Sequence, residues 1–315
     1  MQIDQLHPPA NEPPRIMQRF IVANILYLLL VHVWILGIPV LGRDLGSGAA
    51  DNPLHLLFGE AAFLYQAVNI LLLWICMISL FFLTRLALRG PWWLGSLSAT
   101  LFMANPVKTE ALVLHSGFAD LWPAATALVS LALYAGHTRR PARLYYGAAF
   151  VFFILAVASP RNVLLFLVFL LYERLLVPRQ SRRYGRLFPF AAAFVAALFI
   201  HLGPDQVRGA AADPIASFLP LYLILYPIGL LPETAHALMS WTPWFWIGAA
   251  IVALVLGLIY RKARHPAILF AVSSMLVLRL FQGEAFVEPV HLTGGGALLL
   301  PAAFFYLGIS AIIRQ

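Results

Sequence analysis

Between two apolar runs the chain carries NPVKTEALVLHSGFADLW (residues 105–122), which sets Lys108, Glu110, His115 and Asp120 within one short interval. An ammonium group is a point charge suited to phosphate. A carboxylate or an imidazole beside a dry helical bundle has a pKa that burial can tune for proton transfer. Together these types can hold a phosphorylated lipid and activate a hydroxyl. The same residues also suit a plainer task, capping helix ends and pairing with one another in an interfacial loop. Spacing by itself leans to the plainer task.

The elements that must position these residues are read from composition. The chain has 315 residues, of which 62% are hydrophobic and 11% charged, and its mean hydropathy is +0.85. Those values lie far from soluble globular domains and point to an all-α, polytopic integral membrane protein. A net charge of +8 would suggest nucleic acid in a soluble protein. In a membrane protein it is first sorted by side, and that sorting removes nucleic acid as a partner.

Runs long enough to cross the hydrocarbon, or nearly so, are predicted near 18–41, 62–84, 92–104, 118–136, 144–158, 162–178, 187–203, 243–260, 266–282 and 294–312. Residues 1–17 form a cytoplasmic tail, and 18–315 a single membrane domain of about ten spans. The spans at 92–104 and 144–158 are short, as expected where a helix ends at a buried, wet cavity. With the N-terminus inside, sixteen of the 21 basic residues fall on the cytoplasmic side, leaving Arg43, Lys108, Arg161, Arg208 and Arg279 opposite. This bias places both termini in the cytoplasm. ASFLPLYLILYPIGLLPE (216–233) breaks the alternation and is expected as an outer interfacial helix bent at Pro227. Ten of the 13 acids, among them Asp44, Asp51, Glu110 and Asp120, sort to the outer face, either as ordinary loop residues or as the lining of a polar cavity.

Other features carry less chemistry. Cys76, the one cysteine, sits in an apolar run and reads as a small core residue. The pairs Asp51/His55 and His201/Asp205 supply two ligands each, too few for a metal site. SWTPWFWIG (240–248) reads as an interfacial aromatic belt. PRQSRRYGR (178–186) reads as a topology determinant able to attract anionic headgroups. HLTGGGALLLP (291–301) lacks the context of a phosphate loop and reads as a helix entry.

Four stretches in order carry a family resemblance. LFMANPVKTEALVLHSGFADLW (101–122) resembles the segment LF..HPVHTEAV..ISGRADLL of the GT-C membrane glycosyltransferases, typified by the transmembrane and tetratricopeptide-repeat O-mannosyltransferases and their bacterial relatives. FLYQAVNILLL (63–73), ASPRNVLLFLVFLLYERLL (158–176) and YLILYPIGLLPE (222–233) are similar to three further motifs of that family. Residues 1–315 contain no tetratricopeptide repeat. The chain also departs from the pattern: Asn105 and Lys108 stand where the family has histidines, Phe118 replaces an arginine, and Arg161–Asn162 replaces a lysine–glutamate pair. GGALLLPAAFFYLG (295–308) lacks the acid and arginine of a late motif, and the first outer loop is cut to residues 42–60.

The resemblance implies a GT-C-like bundle and a transferase that takes a sugar from a polyprenyl phosphate to a protein or glycolipid acceptor. It assigns Asp44 or Asp51 as the base, Lys108 and Arg161 as phosphate contacts, and Glu110, His115 and Asp120 as positioning groups. No tightly bound cofactor is implied. The expected partners are membrane lipid, the lipid-linked sugar and its acceptor. The replaced motif residues imply an alternative of another class, a catalytically degenerate subunit with a structural or assembly role among membrane-protein partners. A transporter is a weaker third reading, since carboxylates in mid-span are lacking.

Overall fold

The computed structural model describes residues 62–104, 112, 117–159, 162–201, 266–279 and 299–314, together with Ala23. Among them every regular element is helical and no strand occurs. In chain order the helices are α1 (Ala62–Leu88), α2 (Trp92–Ala104), α3 (Gly117–Arg139), α4 (Arg143–Val157), α5 (Leu165–Leu175), α6 (Phe188–His201), α7 (Pro266–Arg279) and α8 (Leu299–Ile313). Two 3-10 turns, Arg179–Ser181 and Tyr184–Leu187, link α5 to α6. Each helix coincides with an apolar run of the sequence, its ends shifted by a few residues. Apart from Ala23, the runs at 18–41 and 243–260 and the segment 216–233 lie outside the described residues.

Among the described residues three stretches are long and apolar enough to cross a membrane: Phe63–Leu88, Gly117–Arg139 and Tyr184–His201. At about 1.5 Å per residue the 27 residues of α1 reach about 40 Å, more than the roughly 30 Å of hydrocarbon. By contrast α5, with 11 residues, reaches only about 16 Å and is shorter than the span expected over 162–178. Its first turn starts late because Asn162 is drawn aside, donating its amide to the Pro123 carbonyl oxygen at 2.9 Å. At its other end Pro178 stops helical hydrogen bonding.

Burial separates the faces of helices that are apolar all round. On α1 the buried positions Tyr65, Asn69, Leu72, Cys76, Leu80, Leu83 and Ala87 recur every three or four residues, one face of a helix. Gln66 and Thr84 also turn inward, while Phe63, Leu71 and Phe82 face out. Elsewhere Ser98, Ser130, Ser274 and Ser310 are buried, and Trp93, Val151, Phe199 and Ile200 are exposed. In water this arrangement would be inverted. Against lipid tails an apolar exterior costs nothing, and small polar groups join helices inside. The long apolar helices and this apolar exterior identify a membrane protein.

Small residues let the helices approach. A Cβ on Gly95 of α2 would lie 2.8 Å from the Phe81 carbonyl oxygen of α1. The Ser98 and Ser310 hydroxyls hydrogen-bond at 2.7 Å across α2 and α8, and the Ser130 hydroxyl donates to the Ala149 carbonyl oxygen at 2.6 Å across α3 and α4. The α1–α2 reversal places Arg89 in the left-handed region (φ 50°), followed by Gly90 and Pro91, which end one helix and open the next.

Contacts at the helix ends set the two faces of the bundle. The Arg139 guanidinium bonds the Leu86 carbonyl oxygen, so α1 and α3 end together. Tyr146 of α4 donates to the Arg186 carbonyl oxygen, and Leu88, Leu94, Ala267, Ile268 and Ala311 form a satellite cluster at the same end. Every described arginine except Arg279 belongs to this end. The first turns of α1 and α3 and the turn at Asn162 belong to the other.

Candidate functional site

Of the residues expected to act on donor or acceptor, Asp120 alone is among the described residues; Asp44, Asp51, Lys108, Glu110, His115 and Arg161 lie outside them. It stands in the first turn of α3 and is half-buried. There the unpaired backbone N–H groups of a helix start favour a negative charge. Gly117 below it is buried, and the Phe118 and Trp122 rings stack at 5.9 Å, giving the mouth of α3 an aromatic side.

The same end gathers polar side chains that the apolar sequence conceals. Tyr65, Gln66 and Asn69, in the first two turns of α1, are all buried, as is Asn162. α1 and α3 pack against each other within a common core. Pro123, one turn beyond Asp120, lacks the N–H that would bond the preceding turn. The carbonyls around it are met by neighbours: the Thr126 hydroxyl lies 2.9 Å from the Trp122 oxygen and 3.1 Å from the Pro123 oxygen, which also accepts from Asn162. Asn162 thus anchors the α4–α5 turn to the mouth of α3.

A second polar node lies at the arginine-rich end. Glu173 has no exposed surface. One of its oxygens accepts from the Tyr134 hydroxyl at 2.9 Å and the other from the Arg183 backbone N–H at 2.8 Å. Both oxygens are therefore engaged, as a buried carboxylate requires. The Arg182 Nε–H donates to the Val177 carbonyl oxygen at 3.0 Å, so the loop after α5 folds back over the helix end. Around Tyr134 the ring of Phe190 meets Tyr134, Tyr146, Phe150, Phe153 and Phe169 at centroid distances of 5.0–5.7 Å.

Glu173 was legible only as an acid on the cytoplasmic side, and Asn162 only as a departure from a motif. A signal for Glu173 exists: it is a lone carboxylate inside FLLYERLL, ahead of a run of arginines. His201, weighed as half of a metal pair, has its Nε2 at 3.2 Å from the Val157 carbonyl oxygen. A carbonyl only accepts, so a hydrogen bond here has Nε2 as the donor and leaves the lone pair on Nδ1. Among the described residues no three His, Cys, Asp or Glu side chains gather as a metal site. Cys76 is buried in the core.

Comparison with protein-family models finds no match, and neither curated proteins nor solved structures match the chain.

Proposed function

We propose that this membrane protein is a GT-C-like glycosyltransferase, moving a sugar from a polyprenyl phosphate to a protein or glycolipid acceptor on the periplasmic face of a bacterial inner membrane. About ten spans and an interfacial helix complete the bundle, and both termini share the arginine-rich, cytoplasmic side. The observation that carries the reading is that half-buried Asp120 and buried Tyr65, Gln66, Asn69 and Asn162 all belong to the end away from the arginines. These residues belong to three of the four stretches that resemble the family, and an ionisable side chain such as Asp120 inside a membrane bundle marks a functional site by default.

In the reaction the acceptor hydroxyl loses its proton to Asp44 or Asp51. Its oxygen bonds to the sugar carbon as the bond from that carbon to phosphate breaks, with inversion. The polyprenyl phosphate leaves with the electron pair, its charge met by Lys108 and Arg161. Glu110, His115 and Asp120 orient donor and acceptor.

Purified full-length protein in nanodiscs, given a radiolabelled polyprenyl-phosphate sugar and an acceptor extract, is expected to consume the donor. Asp51→Asn or Asp44→Asn should then lower turnover by about a hundredfold or more. Donor left intact under all conditions would remove the enzyme reading. A second reading, a non-catalytic subunit of a membrane complex, is favoured by Asn162, which replaces the family acid and spends its amide on a backbone carbonyl. A stoichiometric membrane-protein partner on gentle purification, with no donor consumed, would establish it.

A further inference from the structure

We propose that the start of α4 and the 3-10 loop before α6 form a docking surface for anionic phospholipid headgroups. Arg140 lies in the turn before α4, Arg143 is the first residue of α4, and Arg179 and Arg183 lie on the loop; all four are exposed. Tyr146 ties the two pieces together through its 2.6 Å hydrogen bond to the Arg186 carbonyl oxygen. The loop is held in shape from beneath, because Glu173 accepts the Arg183 backbone N–H and Arg182 bonds Val177.

Charge complementarity selects the occupant. Glu173 is the one acid among the described residues at this end, and it is buried with both oxygens engaged. Among the described residues no carboxylate pairs with Arg140, Arg143, Arg179 or Arg183. Guanidinium groups bind phosphodiester oxygens in a two-point fork. Large apolar side chains stand beside them: Leu144 is 79% exposed and Phe188 76%, with Tyr184 also exposed. A soluble anion makes no use of these, whereas a phospholipid offers acyl chain to Leu144 and Phe188 where α4 and α6 enter the hydrocarbon, and headgroup to the arginines. The surface is independent of the sugar-transfer reading, since it lies at the opposite end of the bundle.

The test uses the full chain in nanodiscs of phosphatidylcholine containing a minor share of phosphatidylglycerol, with spin-labelled lipid of each kind reporting the protein-bound fraction. Wild type is expected to prefer phosphatidylglycerol several-fold at low salt, with the preference falling towards unity as salt rises. Each arginine near the surface contributes up to about fivefold, so R140Q/R143Q/R179Q/R183Q should abolish the preference, while the four Arg→Lys changes should keep most of it. If the quadruple variant does not fold, the salt series on wild type and the single R183Q decide. Equal binding of the two lipids, a preference indifferent to salt, or a preference unchanged in the Gln variants would overturn the proposal. So would inorganic phosphate displacing the labelled lipid as effectively as phosphatidylglycerol does.

Discussion

At the arginine-rich end a carboxylate is sealed from solvent, with a tyrosine hydroxyl on one oxygen and a backbone N–H on the other. At the opposite end Asp120 stays half-open in the first turn of α3, and Gln66, Asn69 and Asn162 are buried at that same end. Both ends place polar groups in an apolar bundle, but to different effect. Glu173 is consumed by the fold: it fastens a loop and leaves no oxygen for a substrate. Asp120 keeps part of its surface at the mouth. A buried polar residue in this molecule is thus no guide to chemistry until its partners are known.

The contrast can be broken most forcefully through α6. Phe190 fills the aromatic cluster at the sealed end, whereas Phe199, nearer the other end of the same helix, is 84% exposed. Phe190→Ala is expected to cost about 3–5 kcal/mol, and Phe199→Ala less than about 0.5 kcal/mol, read as unfolding midpoints in one detergent. Equal effects would show that the two ends are packed alike.

Next in size is Glu173→Ala, which strips the partner from a buried hydroxyl and a backbone N–H. Unsatisfied groups of this kind cost about 1–3 kcal/mol each, and cleavage of the 177–187 loop by added protease should speed up. Glu173→Gln keeps an acceptor and should lose less. If the Ala variant is as stable and as protease-resistant as wild type, the loop is held by something else.

A smaller effect than that of Glu173→Ala tests the open end. Asn162→Ala removes one neutral hydrogen bond to the Pro123 oxygen, which Thr126 still reaches, so the expected loss is about 1 kcal/mol. A loss above that of Glu173→Ala would mean that this mouth, too, is built chiefly for stability.

The helices were legible because runs such as 62–84 and 118–136 have no other stable form in hydrocarbon, where every backbone group must bond within its own segment. Asp120 was legible as a polar residue at the mouth of a helix, since a carboxylate three residues after Gly117 opens an apolar run. The late start of α5 was not. It depends on Asn162 reaching Pro123, 39 positions away. Nor could the sequence tell the inward face of α1 from the outward one, since Leu71 and Leu72 are the same residue type on opposite sides. Hydrophobic periodicity marks a face only when one side meets water.

From its residues alone the chain was bound to be a helical membrane protein with arginines gathered towards one side, because the cost of exposing backbone and charge to lipid permits little else. Tertiary contacts alone decided that Glu173 would be a sealed structural clasp, that Asn162 would brace a proline turn, and that Tyr65, Gln66 and Asn69 would turn inward at Asp120's end. Those outcomes rest on partners far apart in the chain, and no local pattern encodes which distant donor will meet a buried acceptor.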